Sequence, residues 1–84
     1  MSASTIEAYI LSRRAGDSPR GDFLRDCQED IRTGRFPDGM TEEHQLQSYL
    51  ARCGACDEAR RQAHRVWVEY RRAKQWSAWS MHAD

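Results

Sequence analysis

Two cysteines separated by two residues, Cys53 and Cys56, are the first feature of this sequence that suggests chemistry. His44 precedes them and His64 follows them, and thiolates and imidazoles are the usual ligands of tetrahedral zinc. Only one such cysteine pair exists, however, and both histidines fall within predicted helices rather than in a second ligand-bearing turn. We therefore predict no metal site and expect Cys53 to complete the apolar stripe of a helix as a structural thiol.

The cysteine count also bears on the compartment. Three cysteines, an odd number, fit free thiols in a reducing environment better than a disulfide framework, although Cys53 and Cys56 can pair transiently under oxidation. Residues 1–4 lack the basic and apolar regions of a secretory signal, and no apolar run approaches the length of about 20 residues that spans a bilayer. These features predict a cytoplasmic protein that does not enter a membrane.

A run of carboxylates is the second feature that suggests chemistry, since paired acids perform acid–base catalysis. The run consists of Asp22, Asp26, Glu29 and Asp30. Such a run is more typical of a solvated helix face, with weak pairing to neighbouring arginines. The sequence has no glycine-rich phosphate loop and no nucleophile motif, and a helical core of this size leaves little room for a substrate pocket. We expect neither enzymatic activity nor a cofactor nor a small-molecule substrate.

The charge distribution is the first indication of a partner. Thirteen basic and thirteen acidic residues cancel over the whole chain. Residues 1–58 nevertheless carry seven basic residues against eleven acidic residues, and residues 59–84 carry six against two. The last third is therefore a region of net charge +4 on a body of net charge −4, which predicts an interaction surface in the last third of the chain.

The candidate contact residues lie in this last third. On a helix, Arg61, Arg65 and Arg72 share one face, and Trp76 and Trp79 fall on the same side. Large apolar side chains beside arginines are typical of binding hot spots, so we predict that these five residues bind a protein partner or a second copy of the chain. The alternative is that the helix breaks near Gln75 and the tail folds back onto the core.

A nucleic-acid partner is the alternative function. The third and fourth predicted helices, joined at Gly54, can be interpreted as a helix-turn-helix. Asp57 and Glu58 then occupy the turn that would enter the groove, where two acids would repel the duplex. Contact of Arg61, Arg65 and Arg72 with phosphates remains the alternative interpretation of the arginine face.

Four predicted helices must position these residues. They begin near Ser4, Ser18, Thr41 and Cys56, and the first three end near Gly16, Gly34 and Gly54. Phe36 is expected to plug the core from the loop 35–39. The predicted inner faces contain Ile6, Tyr9 and Ile10; Phe23, Leu24, Cys27 and Ile31; Leu46, Tyr49, Leu50 and Cys53; and Ala59, Ala63, Val66, Trp67, Tyr70 and Ala73.

Several segments of the sequence together form a recognisable pattern. In order, they are Asp22-Phe23 with Asp26 and Asp30, Phe36-Pro37, Ser48-Tyr49-Leu50, Gly54-Ala55-Cys56-Asp57-Glu58-Ala59 and Val66-Trp67-Val68-Glu69-Tyr70. This pattern resembles the YozE-like family of small bacterial SAM-like domains. The resemblance covers roughly residues 6–72, and its most specific part is Gly-Ala-Cys followed by Trp and Tyr on the next helix. It implies a SAM-like bundle of four or five helices, a fold that binds proteins, DNA or RNA in other families.

The resulting prediction is a single all-α domain over residues 1–84, a compact SAM-like bundle with a long C-terminal helix. Its core is expected to span about residues 4–73, and residues 74–84 form a C-terminal extension.

Overall fold

Residues 5–82 form four α-helices and the loops between them, as the sequence predicts. A computed structural model describes the backbone of residues 5–82 and the side chains of residues 5–75. The helices are α1 (Ile6–Ser12), α2 (Pro19–Arg32), α3 (Glu43–Arg52) and α4 (Asp57–His82). The part of the chain that the structure describes contains no strand, so the all-α prediction is confirmed.

Polar side chains fix where the first two helices begin. The Thr5 hydroxyl accepts a hydrogen bond from the Ala8 amide at 3.1 Å, so Thr5 caps α1 one residue later than the predicted start at Ser4. Ser18 caps α2 as predicted, with its hydroxyl 3.0 Å from the Gly21 amide and Pro19 in the first turn. Both caps satisfy amides that have no partner within the helix.

The start of α3 differs from the prediction by one residue. Its N-cap is Glu42 and not Thr41. The Gln45 side-chain oxygen accepts hydrogen bonds from the Thr41 amide at 2.8 Å and the Glu42 amide at 2.9 Å. A glutamine at the third helical position therefore anchors the entering chain, which is one half of a capping box.

The link between α1 and α2 depends on two close contacts. The buried Gln28 amide donates hydrogen bonds to the carbonyl oxygens of Ile10, at 3.0 Å, and Arg13, at 2.8 Å. The bond to Arg13 gives a partner to a carbonyl just beyond the end of α1, and the bond to Ile10 adds to the one that the Ile10 carbonyl accepts from the Arg13 amide at 3.1 Å. At the start of α2, Gly21 packs so tightly against Gly16 that a Cβ atom at position 21 would lie 1.8 Å from the Gly16 carbonyl oxygen.

Helix α4 contacts each of the other three helices and carries the centre of the core. Its buried residues Ala63, Val66, Trp67 and Tyr70 confirm the predicted arc, with Ala59 and Ala73 half-buried at its ends. The core aromatic rings pack in tilted or edge-to-face pairs, the arrangement that aromatic quadrupoles favour. Their centroids are 5.5 Å apart in the Trp67–Tyr70 pair, 5.8 Å in Tyr9–Tyr70 and 5.3 Å in Phe36–Tyr49.

Phe36 plugs the core from the loop, as predicted, and Met40 joins it there although no helical period marks that residue. Two other predictions are wrong. Cys53, expected in the buried stripe of α3, is exposed, because it is the C-cap residue, beyond the last full turn of the helix. Asp30, expected to face solvent, is half-buried and accepts a hydrogen bond from the Tyr49 hydroxyl.

Among the helices described, none combines the length and the apolar character needed to cross a bilayer.

Candidate interaction surface on the fourth helix

The three arginines predicted to bind a partner all lie on the exposed side of α4. Arg61, Arg65 and Arg72 are solvent-exposed, while the residues between them that face inward are buried. At 3.6 residues per turn, positions 61, 65 and 72 fall within a narrow arc of the helix surface. The arrangement therefore brings three guanidinium groups to one side of the helix, away from the core.

The charges of these arginines are only weakly neutralised by the protein. Arg61 lies 3.2 Å from the Glu58 carboxylate, but both side chains are largely exposed, and such pairs contribute little. Arg65 and Arg72 form no ion pair with any residue that the structure describes. The positive charge of α4 is thus free to interact with an external anion.

One flank of this face is closed by polar contacts with α3. Gln47 and Arg60 are joined twice: the Gln47 amide donates to the Arg60 carbonyl oxygen at 3.0 Å, and the Arg60 Nε donates to the Gln47 side-chain oxygen at 3.2 Å. His64 Nδ1 lies 2.9 Å from a Glu43 carboxylate oxygen. An open groove of about 540 Å³ lies on this flank and is lined by Gln47, Asp57, Arg60, Arg61, His64 and Arg65.

The other flank is held by a network that joins α1, α2 and α4. Glu69, the only acid in residues 59–75, accepts two hydrogen bonds from Arg20, with its Oε2 3.0 Å from the Arg20 Nε. The Tyr9 hydroxyl donates to the same carboxylate at 3.4 Å. The hydrogen bonds from Arg20 lower the pKa of Glu69, and burial, followed by the charge of Glu69, raises the pKa of Tyr9.

This network matters for the arginine face because it occupies the one carboxylate of residues 59–75. With Glu69 bound to Arg20, no acid of residues 59–75 remains to pair with Arg65 or Arg72. No pattern in the sequence indicates this network. Its three members lie far apart in the chain, and only the packing of the helices brings them together.

A second groove, which the sequence did not predict, runs along residues 67–75 of α4. It has a volume of about 590 Å³ and lies between α4 and the loop that precedes α3. Met40, Trp67 and Tyr70 contribute apolar surface, and Arg71 and Lys74 contribute positive charge. The Lys74 ammonium lies 5.8 Å from the Tyr70 ring centroid, within the range of a cation–π contact.

The two tryptophans of the predicted contact surface have no described side chains. Trp76 and Trp79 follow Gln75, the last residue whose side chain the structure describes. Their participation remains a prediction from sequence.

Within the described part of the chain, no group of three or more histidine, cysteine, aspartate or glutamate side chains is placed to hold an ion. His44 is exposed, and His64 bonds to Glu43 instead of approaching the cysteines. Cys53 and Cys56 are exposed free thiols, and Cys27 is a buried one. No family model, curated protein or solved structure matches the chain.

Proposed function

We propose that this chain is a non-enzymatic helical interaction module that binds a protein partner, or a second copy of itself, through α4 and its C-terminal extension. The observation that carries the proposal is the unpaired charge of Arg65 and Arg72 on the exposed side of α4, where the acid nearest to them in the sequence, Glu69, is bound by Arg20. A partner with acidic groups would gain charge-assisted hydrogen bonds there.

The tryptophans supply the apolar part of the proposed surface. Trp76 follows Arg72 by four residues, the spacing at which side chains on a helix are neighbours. A guanidinium stacked on an indole restrains it before docking, which lowers the entropy lost on binding. Tryptophan and arginine are also the residues that most often dominate protein interfaces.

The runner-up function is an accessory nucleic-acid-binding protein that contacts phosphates through Arg61, Arg65 and Arg72. Their shared exposure on one face of α4 favours this candidate. Against it, Asp57 and Glu58 lie in the first turn of the same helix, and the molecule as a whole has no net charge. The two candidates differ in salt dependence, because each phosphate contact releases counterions and makes binding fall steeply with salt.

The experiment compares two matched double variants. Arg65→Ala/Arg72→Ala removes two charges from the proposed surface, and Arg14→Ala/Arg52→Ala removes two exposed charges elsewhere. Self-association is measured by sedimentation, and partners are captured from a lysate of the source cells, at low and high salt. We expect the first variant to lose the association and the second to retain it, with modest salt dependence. Equal association of both variants would contradict the proposal. Steep salt dependence together with nuclease sensitivity would favour the nucleic-acid function.

We further propose that the bundle is SAM-like, that its C-terminal helix is long, and that it works in a bacterial cytoplasm. The order of the resembling segments and the all-α arrangement of four helices support the first point. Three free cysteines support the last.

A further inference from the structure

All three cysteines of the chain line one groove. The groove has a volume of about 460 Å³ and lies between α2 and the junction of α3 with α4. Cys53 and Cys56 border it from that junction, and Cys27 borders it from α2. Both of these thiols are exposed, and the Cys53 side chain also lies close to that of Tyr49 in the core.

The backbone of the junction keeps Cys53 and Cys56 on the same groove. Cys53 is the C-cap of α3, and Cys56 directly precedes α4. Between them Gly54 adopts a positive φ of 73°, which reverses the chain, and the Ala55 amide donates to the Leu50 carbonyl oxygen at 3.0 Å. Two thiols three positions apart in such a turn have a high effective concentration for each other.

We propose that Cys53 and Cys56 form a reversible dithiol site that a small neutral hydroperoxide oxidises to an intramolecular disulfide. One thiolate attacks a peroxide oxygen, the O–O bond breaks, and the products are a sulfenic acid and the alcohol, or water, of the peroxide. The second thiol then displaces the hydroxyl of the sulfenic acid as water and forms the S–S bond. The two thiols together lose two electrons and two protons, and the peroxide gains them.

The charge of the groove determines the kind of oxidant. Asp26, Glu29 and Asp30 line it together with one guanidinium, that of Arg35. Three carboxylates against one cation repel anionic oxidants and anionic disulfides, whereas a neutral peroxide approaches without that cost. The site is therefore selective for neutral reagents.

Cys27 does not take part, although it borders the same groove. It is almost completely buried, and its burial, with the nearby charges of Asp30 and Asp26, raises its pKa to about 12. At neutral pH it is a protonated thiol, and only the thiolate is an effective nucleophile. The exposed pair reacts and the buried residue is spared.

Peptide mapping of the folded protein tests the pairing. After treatment with hydrogen peroxide and blocking of the remaining thiols, trypsin separates the peptide 53–60, with both exposed cysteines, from the peptide 26–32, with Cys27. We expect peptide 53–60 to be lighter by two hydrogen atoms and peptide 26–32 to carry a blocked thiol. Cys56→Ser should leave a sulfenic acid that dimedone traps, and Cys27→Ser should react like the parent. A cross-link between the two peptides, or no disulfide within 53–60, would overturn the proposal.

The selectivity has a separate test. Reaction rates are measured with a neutral aromatic disulfide, dipyridyl disulfide, and with an anionic one, dithiobis(nitrobenzoate), each normalised to the rate for the urea-unfolded chain. We expect the normalised rate of the anionic reagent to be the lower one and to rise with added salt, because salt screens the carboxylates. Equal normalised rates, or an anionic rate that falls with salt, would refute the selectivity.

Discussion

The Tyr49 hydroxyl donates a hydrogen bond to the Asp30 carboxylate and joins α3 to α2. Burial, and after it the hydrogen bond to Asp30, raises the pKa of Tyr49 above its ordinary range, so the residue keeps its proton as a donor at neutral pH. The ring of the same tyrosine packs edge-on against Phe36. One side chain therefore fixes both a helix pair and the loop that plugs the core.

Tyr49→Phe isolates the polar half of this contact, because it removes the hydroxyl and keeps the ring against Phe36. We expect the free energy of unfolding to fall by about 1 kcal/mol, the usual net contribution of a hydrogen bond, or somewhat more because the acceptor is charged. Urea denaturation monitored by circular dichroism measures the change. Asp22→Asn, which alters an exposed carboxylate of α2, the helix that contains Asp30, is the control and should leave the midpoint nearly unchanged. Equal midpoints for Tyr49→Phe and the parent would show that solvation replaces the bond without loss.

Trp67→Ala should destabilise the protein by roughly 3–5 kcal/mol, the range for emptying a large buried aromatic site. Trp67 is only 3% exposed and packs edge-on against Tyr70. In a chain of 84 residues this loss is comparable with the whole free energy of unfolding, so Trp67→Phe, which keeps part of the ring contact, serves as a milder variant. Leu11→Ala, at a residue that is 45% exposed, is the control. An unchanged melting temperature for both Trp67 variants would contradict the prediction, because it would show that the face of α4 with Trp67 does not pack in the core.

The ionised Glu69 carboxylate should contribute to the free energy of unfolding, and this contribution should be lost at acid pH. The pKa of Glu69 in the folded protein is lowered from 4.5. The stabilisation by its charged form is therefore complete at a pH above the pKa of the unfolded chain, and it is lost as the pH falls through the pKa of the folded protein. The side chains of Arg20 and Glu69 are 34% and 37% exposed, which limits the effect to less than about 1 kcal/mol. Glu69→Gln should therefore show a smaller loss of stability than the parent between about pH 5 and pH 3. If the free energy of unfolding falls equally with pH in the two proteins, solvent fully screens the ion pair between Arg20 and Glu69.

Replacing Trp76 and Trp79 together by alanine separates an interaction role from a packing role. We expect partner binding or self-association to be lost while the melting temperature changes by no more than a few degrees. If the two residues instead cover the core, unfolding will occur at a clearly lower temperature and the folded fraction will still bind. Sedimentation and thermal melts on the same samples give both readings, and Trp67→Phe provides the comparison for a tryptophan of the core.

Removal of metal ions should leave the fold intact. The described core is built from apolar side chains, and its cysteine, Cys27, lies among them without a ligand set around it. We expect far-UV circular dichroism and the melting temperature to be the same before and after dialysis against a strong chelator. A substantial loss of helicity that added zinc restores would contradict this prediction.

Helical periodicity was sufficient to predict most of the core of this protein, with the exception of Met40, but not the hydrogen bonds and ion pairs between its helices. Residues such as Val66 and Tyr70 repeat at the spacing of one helix face, so their burial follows from local sequence. Cys53 has the same spacing in α3 and is exposed, because its position at the helix end, and not its period, decides its environment. The bond between Arg20 and Glu69 joins residues far apart in the chain, and no local pattern indicates which arginine a given glutamate will meet.

The contact between Gly21 and Gly16 restricts which amino-acid substitutions the protein can accept. A side chain at position 21 would overlap the Gly16 carbonyl oxygen, and no rotamer choice relieves an overlap that begins at Cβ. Even alanine would require the linker and the first turn of α2 to separate, and Gln28 holds that linker through Arg13. In a library of all single substitutions, position 21 should therefore tolerate glycine alone. The neighbouring exposed position, Asp22, should accept most residues.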